Sequence, residues 1–415
     1  SDLGYILIFT GSWNEYATLG SAATLGSGFY VTIINQSGST HIINRTGSDT
    51  FTNNGSTGDT SYKLASGASV TLVSDGTSKW LSKNIAPYLY AECNNNSGDF
   101  NPVATGTGAV ALGRGANAGG SPSFAAGTNS SFGGSTANSA GSTALGGSYA
   151  SGSNSFAAAI ANNTSSYGAT GANSIAMGSL AKATATGAMA FGDSNTASGE
   201  DAAVFGENNT GSGAFSFTAG RNNTNSGSRG VALGNSHTVS DFYSFASGSQ
   251  NTASQTYAHA VGSHALADRQ GKFAHASQGF AVAGSSQYGR MILSKATTDA
   301  TPIVLAALQG NSPSSSNMPV IPSGGAQAFS GLLVAKQTGS ANAAAWEIKG
   351  LIVNNGGTTT LVNSAITVID NTPAWGGPAI TADDTNDWLA ITCTGAAATS
   401  IRWSCTLNTS ELIYA

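Results

Sequence analysis

Between residues 176 and 262 the chain repeats itself every 14 residues. Seven triplets close on a glycine in step: Ala176-Met177-Gly178, Ala190-Phe191-Gly192, Val204-Phe205-Gly206, Thr218-Ala219-Gly220, Ala232-Leu233-Gly234, Ala246-Ser247-Gly248 and Ala260-Val261-Gly262. A second column keeps the same step through Asn195-Thr196, Asn209-Thr210, Asn223-Thr224, His237-Thr238 and Asn251-Thr252, and a third through Ser198, Ser212, Ser226, Ser240 and Ser254. Three columns at one period define a repeat architecture. Gly113 and Gly127 are also 14 apart, but the phase slips between Gly127 and Gly178, which reads as irregular rungs or inserted loops.

Fourteen residues are too few for a helical repeat, which needs more than about 30. They suffice for two short strands and two tight turns. One such rung buries no face, but stacked rungs pair backbone to backbone at about 4.8 Å. Glycine at fixed places supplies positive φ or close backbone approach. Alanine alternates with larger apolar residues in Ile175-Ala176-Met177 and Val231-Ala232-Leu233, so Ala232 is expected inside. From Gly113 to Ala276 the period predicts about 12 rungs and a rod of roughly 55 Å. Such rungs give each chain a thin core. Self-association is therefore expected, as a homotrimer held by an apolar column facing a shared axis.

Composition agrees. The 415 residues include 55 Gly but only 15 basic and 20 acidic side chains, with a net charge of −5 and 40% hydrophobic residues. These figures argue against a helical enzyme, a coiled coil, a basic nucleic-acid binder and charge-driven disorder. An all-β chain is expected. No apolar run approaches the roughly 18 residues of a membrane helix, and no basic stretch precedes an apolar core at the start, so neither membrane insertion nor a signal peptide is expected. Three cysteines do not form a disulfide framework. Cys93 stands apart, and Cys393 and Cys405 are read as buried thiols rather than a bridge. The His and Cys residues lack zinc spacing, so no metal and no cofactor is expected.

The flanks differ from the repeat. Residues 1–84 alternate strand and turn: Phe29 to Ile34 is β-branched and aromatic, Asn54-Gly55 marks a turn, and Val70 to Val73, Asp75-Gly76 and Lys79 to Leu81 read as a hairpin. Residues 85–283 form the repeat shaft, 284–316 a linker with a few short strands, and 317–415 a C-terminal, sandwich-like β domain. In that domain Ile401, Trp403, Cys405 and Leu407 alternate with polar residues, as do Leu389, Ile391 and Cys393. A long loop is expected from Asn371 to Asp387.

Asn173-Ser174-Ile175-Ala176-Met177-Gly178 resembles the head repeat of trimeric autotransporter adhesins (YadA-like heads), which implies a trimeric left-handed parallel β-roll. The chain departs from that family in its phase slip and its Asn-Thr column, and shows neither a heptad stalk nor a run resembling a membrane anchor. Residues 29–83, Gly271 to Ala276, Thr297 to Pro302 and Ile401 to Leu412 resemble phage tail-fibre and tailspike proteins. That resemblance implies a virion protein that attaches to a host-surface glycan or lipopolysaccharide, with its N-terminal end towards other tail proteins. A bacterial surface adhesin and a glycan-degrading tailspike are the alternatives; the reading taken is a binder, not an enzyme.

The candidate receptor-binding residues are Trp375, Asp383, Asp384, Asp387 and Trp388. An aromatic in a loop can stack on a sugar, and adjacent carboxylates suit hydroxyl-rich ligands. The opposing reading makes Trp375 a core residue and the aspartates turn formers. No pair for glycoside cleavage stands out: Asp383 and Asp384 are adjacent, and Glu200, Asp201 and Glu207 read as solvated rung ends. The Asn column reads as a ladder along the rungs or as an axial lining. His237 is a substitution in it, and His259, His264 and His275 are weak candidates for axial metal triplets.

Overall fold

The computed structural model describes residues 5–10, 16–37, 39–53, 56–83, 102–113, 115–129, 133–158, 167–280, 282–308 and 311–414. The expected Asn54-Gly55 turn and Cys93 lie outside the described residues. The chain divides into two compact units, Ser1–Ala91 and Glu92–Ala415.

The first unit is a small β domain. A six-stranded sheet places Ser27–Asn35 between Tyr5–Phe9 and Ser69–Asp75, and a three-stranded sheet holds Tyr16–Thr18, His41–Asn44 and Ser61–Leu64. Ile33, Ile43, Phe51, Leu72 and Trp80 are fully buried between them. The hairpin read from Asp75-Gly76 is present: Ser69–Asp75 pairs antiparallel with Lys79–Lys83, and Asp75 Oδ1 accepts the N–H groups of Thr77, Ser78 and Lys79.

The second unit opens as a parallel β-solenoid. One sheet stacks 12 two-residue strands from Val103–Ala104 to Leu266–Ala267, and the opposite one stacks strands from Val110–Leu112 to Phe273–Ala276. Regular rungs pair residues 14 apart, as Ala190 with Val204 and Ala232 with Ala246. The phase slip has a simple form. Phe124 pairs with Thr143, 19 residues on; Thr143 with Phe156, 13 on; and Phe156 with Ile175, again 19 on. The first insertion carries a small hairpin, Thr128–Asn129 against Gly133–Gly134. The strands stay in register across the slip, Ala125 pairing with Ala144, Ala144 with Ala157 and Ala157 with Ala176.

Each regular rung turns through left-handed corners. Gly206 has φ +113°, and a Cβ there would lie 2.0 Å from the Gly220 oxygen of the next rung, so only glycine fits. Two further corners take other residues: Ser194, Asn208, Asn222, Ser236 and Gln250 at one, and Asp201, Phe215, Arg229, Tyr243 and Tyr257 at the other, all with φ between 51° and 59°.

The two sheets meet through small side chains, alanine foremost. Ala176, Ala190, Ala232 and Ala246 from one sheet face Ala183, Ala197, Ala253 and Ala267 from the other, all fully buried. Where Val204 is larger, glycine compensates: a Cβ on Gly211 would lie 2.6 Å from the Val204 side chain. The Asn column is a ladder inside the coil. Asn209 Nδ2 donates to the carbonyls of Phe205 (3.0 Å) and Gly220 (2.7 Å), and its Oδ1 accepts the Asn223 backbone N–H (3.0 Å). His237 does the same work with a ring: Nε2–H donates to the Leu233 carbonyl at 3.0 Å and Nδ1 accepts the Asn251 N–H at 3.1 Å.

The longer-stranded sheet does not stop at the last rung. Phe273–Ala276 pairs antiparallel with Ser286–Thr297, which begins a five-stranded antiparallel layer continuing through Ile401–Ile413, Gly325–Gln337, Ala343–Asn355 and Thr358–Asp370. Much of the expected linker is thus a 12-residue strand, Ser286–Thr297. A second sheet of Ile303–Val304, Trp388–Thr394 and Gly377–Asp383 covers one face of this layer. Leu293, Leu333, Trp346, Ile348, Leu389, Ile391, Trp403 and Leu407 fill the space between. The loop expected from Asn371 to Asp387 is half strand, because Pro378, Ala379 and Ile380 extend along Cys393, Thr392 and Ile391. Cys393 and Cys405 are free thiols in this core, and burial pushes the Cys405 thiol up to about 12 and Cys393 up as well.

Candidate functional site

The five residues picked from sequence fall into two groups. Trp375 is 6% exposed and meets the Trp403 ring edge-on at 6.1 Å, while Trp403 stacks on Trp346 at 5.7 Å. Asn371 clamps the Trp375 backbone, its Oδ1 accepting the Trp375 N–H at 3.0 Å and its Nδ2 donating to the Trp375 carbonyl at 2.8 Å. The seven-residue strand Gly377–Asp383 then separates Trp375 from the aspartates by roughly 20 Å. Asp383, Asp384, Asp387 and Trp388 do come together, around one turn. Asp383 Oδ1 accepts the Thr385 and Asn386 N–H groups, Asp384 accepts the Thr359 N–H, and Asp387 Oδ1 accepts the Thr359 hydroxyl at 2.7 Å. Trp388 packs against Ala306, Met318 and Ala390. At this turn the carboxylates reach solvent and the Trp388 indole does not.

A second site lies where the solenoid meets the long antiparallel layer. On the outer face of that sheet, Tyr257, His259, Gly271, Phe273, Tyr288, Arg290 and Ile292 line a cleft of about 320 Å³. Register places them there: Phe273 is paired with His259 on one side and Arg290 on the other, and His275 with Tyr288. Phe273 and Tyr288 meet edge to face at 6.4 Å, and the Tyr288 hydroxyl donates to Asn408 Oδ1 at 2.6 Å. Directly behind, on the inner face, Lys272 Nζ contacts Glu411 Oε2 at 2.8 Å and Asp268 Oδ1 at 3.5 Å. Gln287 Nε2 and the Thr409 hydroxyl also donate to Glu411. Burial alone would lower the Lys272 ammonium, but the Glu411 and Asp268 carboxylates outweigh it and hold it above its ordinary value. Lys272 stands in the inner column of Ser216, Gly230, Ser244 and Ala258, so this ionic cluster plugs the open end of the alanine interior.

The sequence reading missed the cleft, although one signal for it was present. Phe215, Arg229, Tyr243 and Tyr257 are themselves 14 residues apart and form a fourth column. His259 and His275 belong to the same outer face, while His264 sits at a left-handed corner with φ 64°. Among the described residues no group of three or more His, Cys, Asp or Glu is arranged to hold a metal, and no helix is long and apolar enough to cross a membrane.

No protein-family model matches the chain, and no curated protein matches it. Among the solved structures that show similarity are two phage tailspike proteins. One is the tailspike protein of Acinetobacter baumannii bacteriophage Fri1, a capsular polysaccharide depolymerase: 8% identity, TM-score 0.20, covering 71% of this chain and 57% of that one. The other is an Acinetobacter phage tailspike protein: 10% identity, TM-score 0.20, covering 97% of this chain and 100% of that one. This chain therefore spans little more than half the length of the Fri1 tailspike. Likeness at this level carries no argument about chemistry. The expectation of a non-enzyme is nonetheless corrected: it rested on finding no carboxylate pair in the sequence, and one of the similar proteins degrades polysaccharide.

Proposed function

We propose that this chain is a receptor-binding protein of a phage tail, a homotrimer that attaches the virion to polysaccharide on the host surface. In this reading residues 1–84 lie towards the particle and other tail proteins, 85–283 form the shaft, 284–316 connect, and 317–415 carry the receptor end. The observation that supports it is the outer face of the longer-stranded solenoid sheet. Its two outward columns run Ile175, Met189, Ala203, Phe217, Val231 and Met177, Phe191, Phe205, Ala219, Leu233, none of them buried. The opposite sheet turns Thr196, Thr210, Thr224, Thr238 and Thr252 outward instead. One face is built for water and the other for a partner. Three copies packed through the apolar face remove it from water about a common axis, the arrangement that the adhesin-head resemblance implies. Each trimer then presents three equivalent sites, and several trimers on one particle convert weak sites into firm attachment through effective concentration. The turn carrying Asp383, Asp384 and Asp387 beside Trp388, with Trp375 bracing the same domain, is a proposed contact surface.

The test is binding of the assembled protein to an array of bacterial capsular and lipopolysaccharide glycans, followed by a reducing-end assay on any glycan bound. Specific glycan binding supports the reading, and release of reducing ends adds cleavage to it. A trimer that binds neither the array nor bacterial cells overturns it.

A further inference from the structure

We infer that the cleft between the last solenoid rungs and the long antiparallel layer binds an anionic saccharide, with one sugar ring stacked on Tyr257 in the space beside Gly271. The inference rests on the attachment reading above and assigns it a ligand class and a place.

The corner column explains the slot. Phe215, Arg229, Tyr243 and Tyr257 occupy successive left-handed corners. The Arg229 guanidinium lies 5.1 Å from the Phe215 ring centroid and 5.5 Å from that of Tyr243, and the Tyr243 and Tyr257 rings stack at 5.2 Å with planes 13° apart. Each member covers the next until the column reaches Gly271. There the corner has no side chain, and no atom lies within 4 Å of where a Cβ would be. The stack therefore ends on a tyrosine ring that lines an open cleft. An exposed, rigid aromatic face with polar groups at its edge suits the C–H face of a sugar.

The rest of the lining selects charge. Arg290 is exposed and makes no ion pair among the described residues, and no carboxylate lines the cleft. The nearby acids are already paired: Asp268 with Arg269 at 2.8 Å and with Lys272 at 3.5 Å, and Glu411 with Lys272 at 2.8 Å on the inner side of the sheet. Farther along the same outer face Lys295, Lys336 and Arg402 line another depression, while the one that shares Tyr288 with the cleft carries no charged side chain. An extended peptide is disfavoured, because the strands lining the cleft are paired on both sides and offer no free edge. The outward positions after Leu233 mix polar and apolar residues: Ser247, His259 and His275 stand among Phe245, Val261 and Phe273.

The experiment uses the full assembled chain and two uronate probes, tetragalacturonate and a hyaluronan tetrasaccharide, each beside its carboxyl-reduced form, with affinity read by calorimetry. The acidic forms are expected to bind at least tenfold more tightly than the reduced forms. Gly271→Tyr continues the column into the slot and is expected to weaken binding at least tenfold, as is Tyr257→Asn, a residue the same corner accepts at Asn173. Arg290→Met should abolish the preference for the acid. If the probes bind and both corner variants bind like the parent, the cleft assignment is wrong while attachment stands. If the parent ignores both acids but binds a neutral glycan on the array, the anionic assignment is wrong. If either corner variant dissociates the assembly, the cleft is a seam between copies and the proposal falls.

Discussion

Ala176, Ala190 and Ala246 in the solenoid, and Leu293, Leu333 and Trp403 in the C-terminal layer, lie on the inner side of one continuous sheet. Their surroundings obey opposite packing rules. In the solenoid the two sheets approach so closely that a methyl group fills the gap, and one larger side chain requires a glycine across from it, as Val204 does Gly211. In the C-terminal layer a second sheet stands off far enough to admit three tryptophans, Trp346, Trp375 and Trp403. The solenoid is thus vulnerable to enlargement and the C-terminal layer to truncation. The solenoid also cannot bury its larger apolar residues inside, so it wears them on one outer face.

Substitutions break or sharpen that contrast. The largest effect is expected from Ala232→Glu, which forces bulk and an unpaired charge into the alanine interior and should cost about 4 kcal/mol or more. Thr238→Glu, on the outer threonine face of the same coil, should stay within about 0.5 kcal/mol; equal melting of the two variants would show that Ala232 is not inside. Next is Trp403→Ala, expected to cost about 3–5 kcal/mol in the C-terminal layer by leaving a cavity. It should also release the hydrogen bond from Trp403 Nε1 to Thr297 Oγ1, now 3.0 Å. Hydrogen exchange is the readout: the loss should be confined to residues 286–413 if the two regions are stabilised independently.

At the boundary, Lys272→Met strands Glu411 as a buried carboxylate, and about 3 kcal/mol is expected. Adding Glu411→Gln should restore much of it, and a double variant no better than the single would remove the pair's role in capping the coil. The smallest effect is a pH dependence from His237. Burial depresses this imidazole below its ordinary value near 6.5, and its backbone partners offset only part of that. The unfolded chain then binds the proton first as pH falls, so the contribution is full above about 6.5 and is lost below it. His237→Asn restores the column residue and should flatten melting between pH 7 and 5. An unchanged slope would put the titrating group elsewhere.

How far these regions were legible follows from the same physics. A stacked coil must repeat its corners and interior at each rung, so the period, the alanine column and the Asn ladder stand in the sequence. The slip between Gly127 and Gly178 was visible, but its 19, 13, 19 pattern depends on which corner absorbs the extra residues. Ser286–Thr297 was hidden because its inner positions include Gln287 and Gly289 before Met291 and Leu293, which masks the alternation of a strand. Trp375 looked like a loop aromatic because its packing partners, Trp346 and Trp403, are distant in sequence. The Lys272–Glu411 contact joins residues 139 apart, whereas the cleft beside it is local in sequence and needed only the antiparallel return of Ser286–Thr297 onto Phe273–Ala276.

The apolar outer face is the feature on which the proposed trimer, and with it the proposed multivalent attachment, depends. Sedimentation equilibrium of the intact chain at micromolar concentration tests it directly. The account predicts a single species near three times the 41.2 kDa chain mass. A folded species that stays at 41.2 kDa would contradict it, since the columns headed by Ile175 and Met177 would then face water with nothing to cover them.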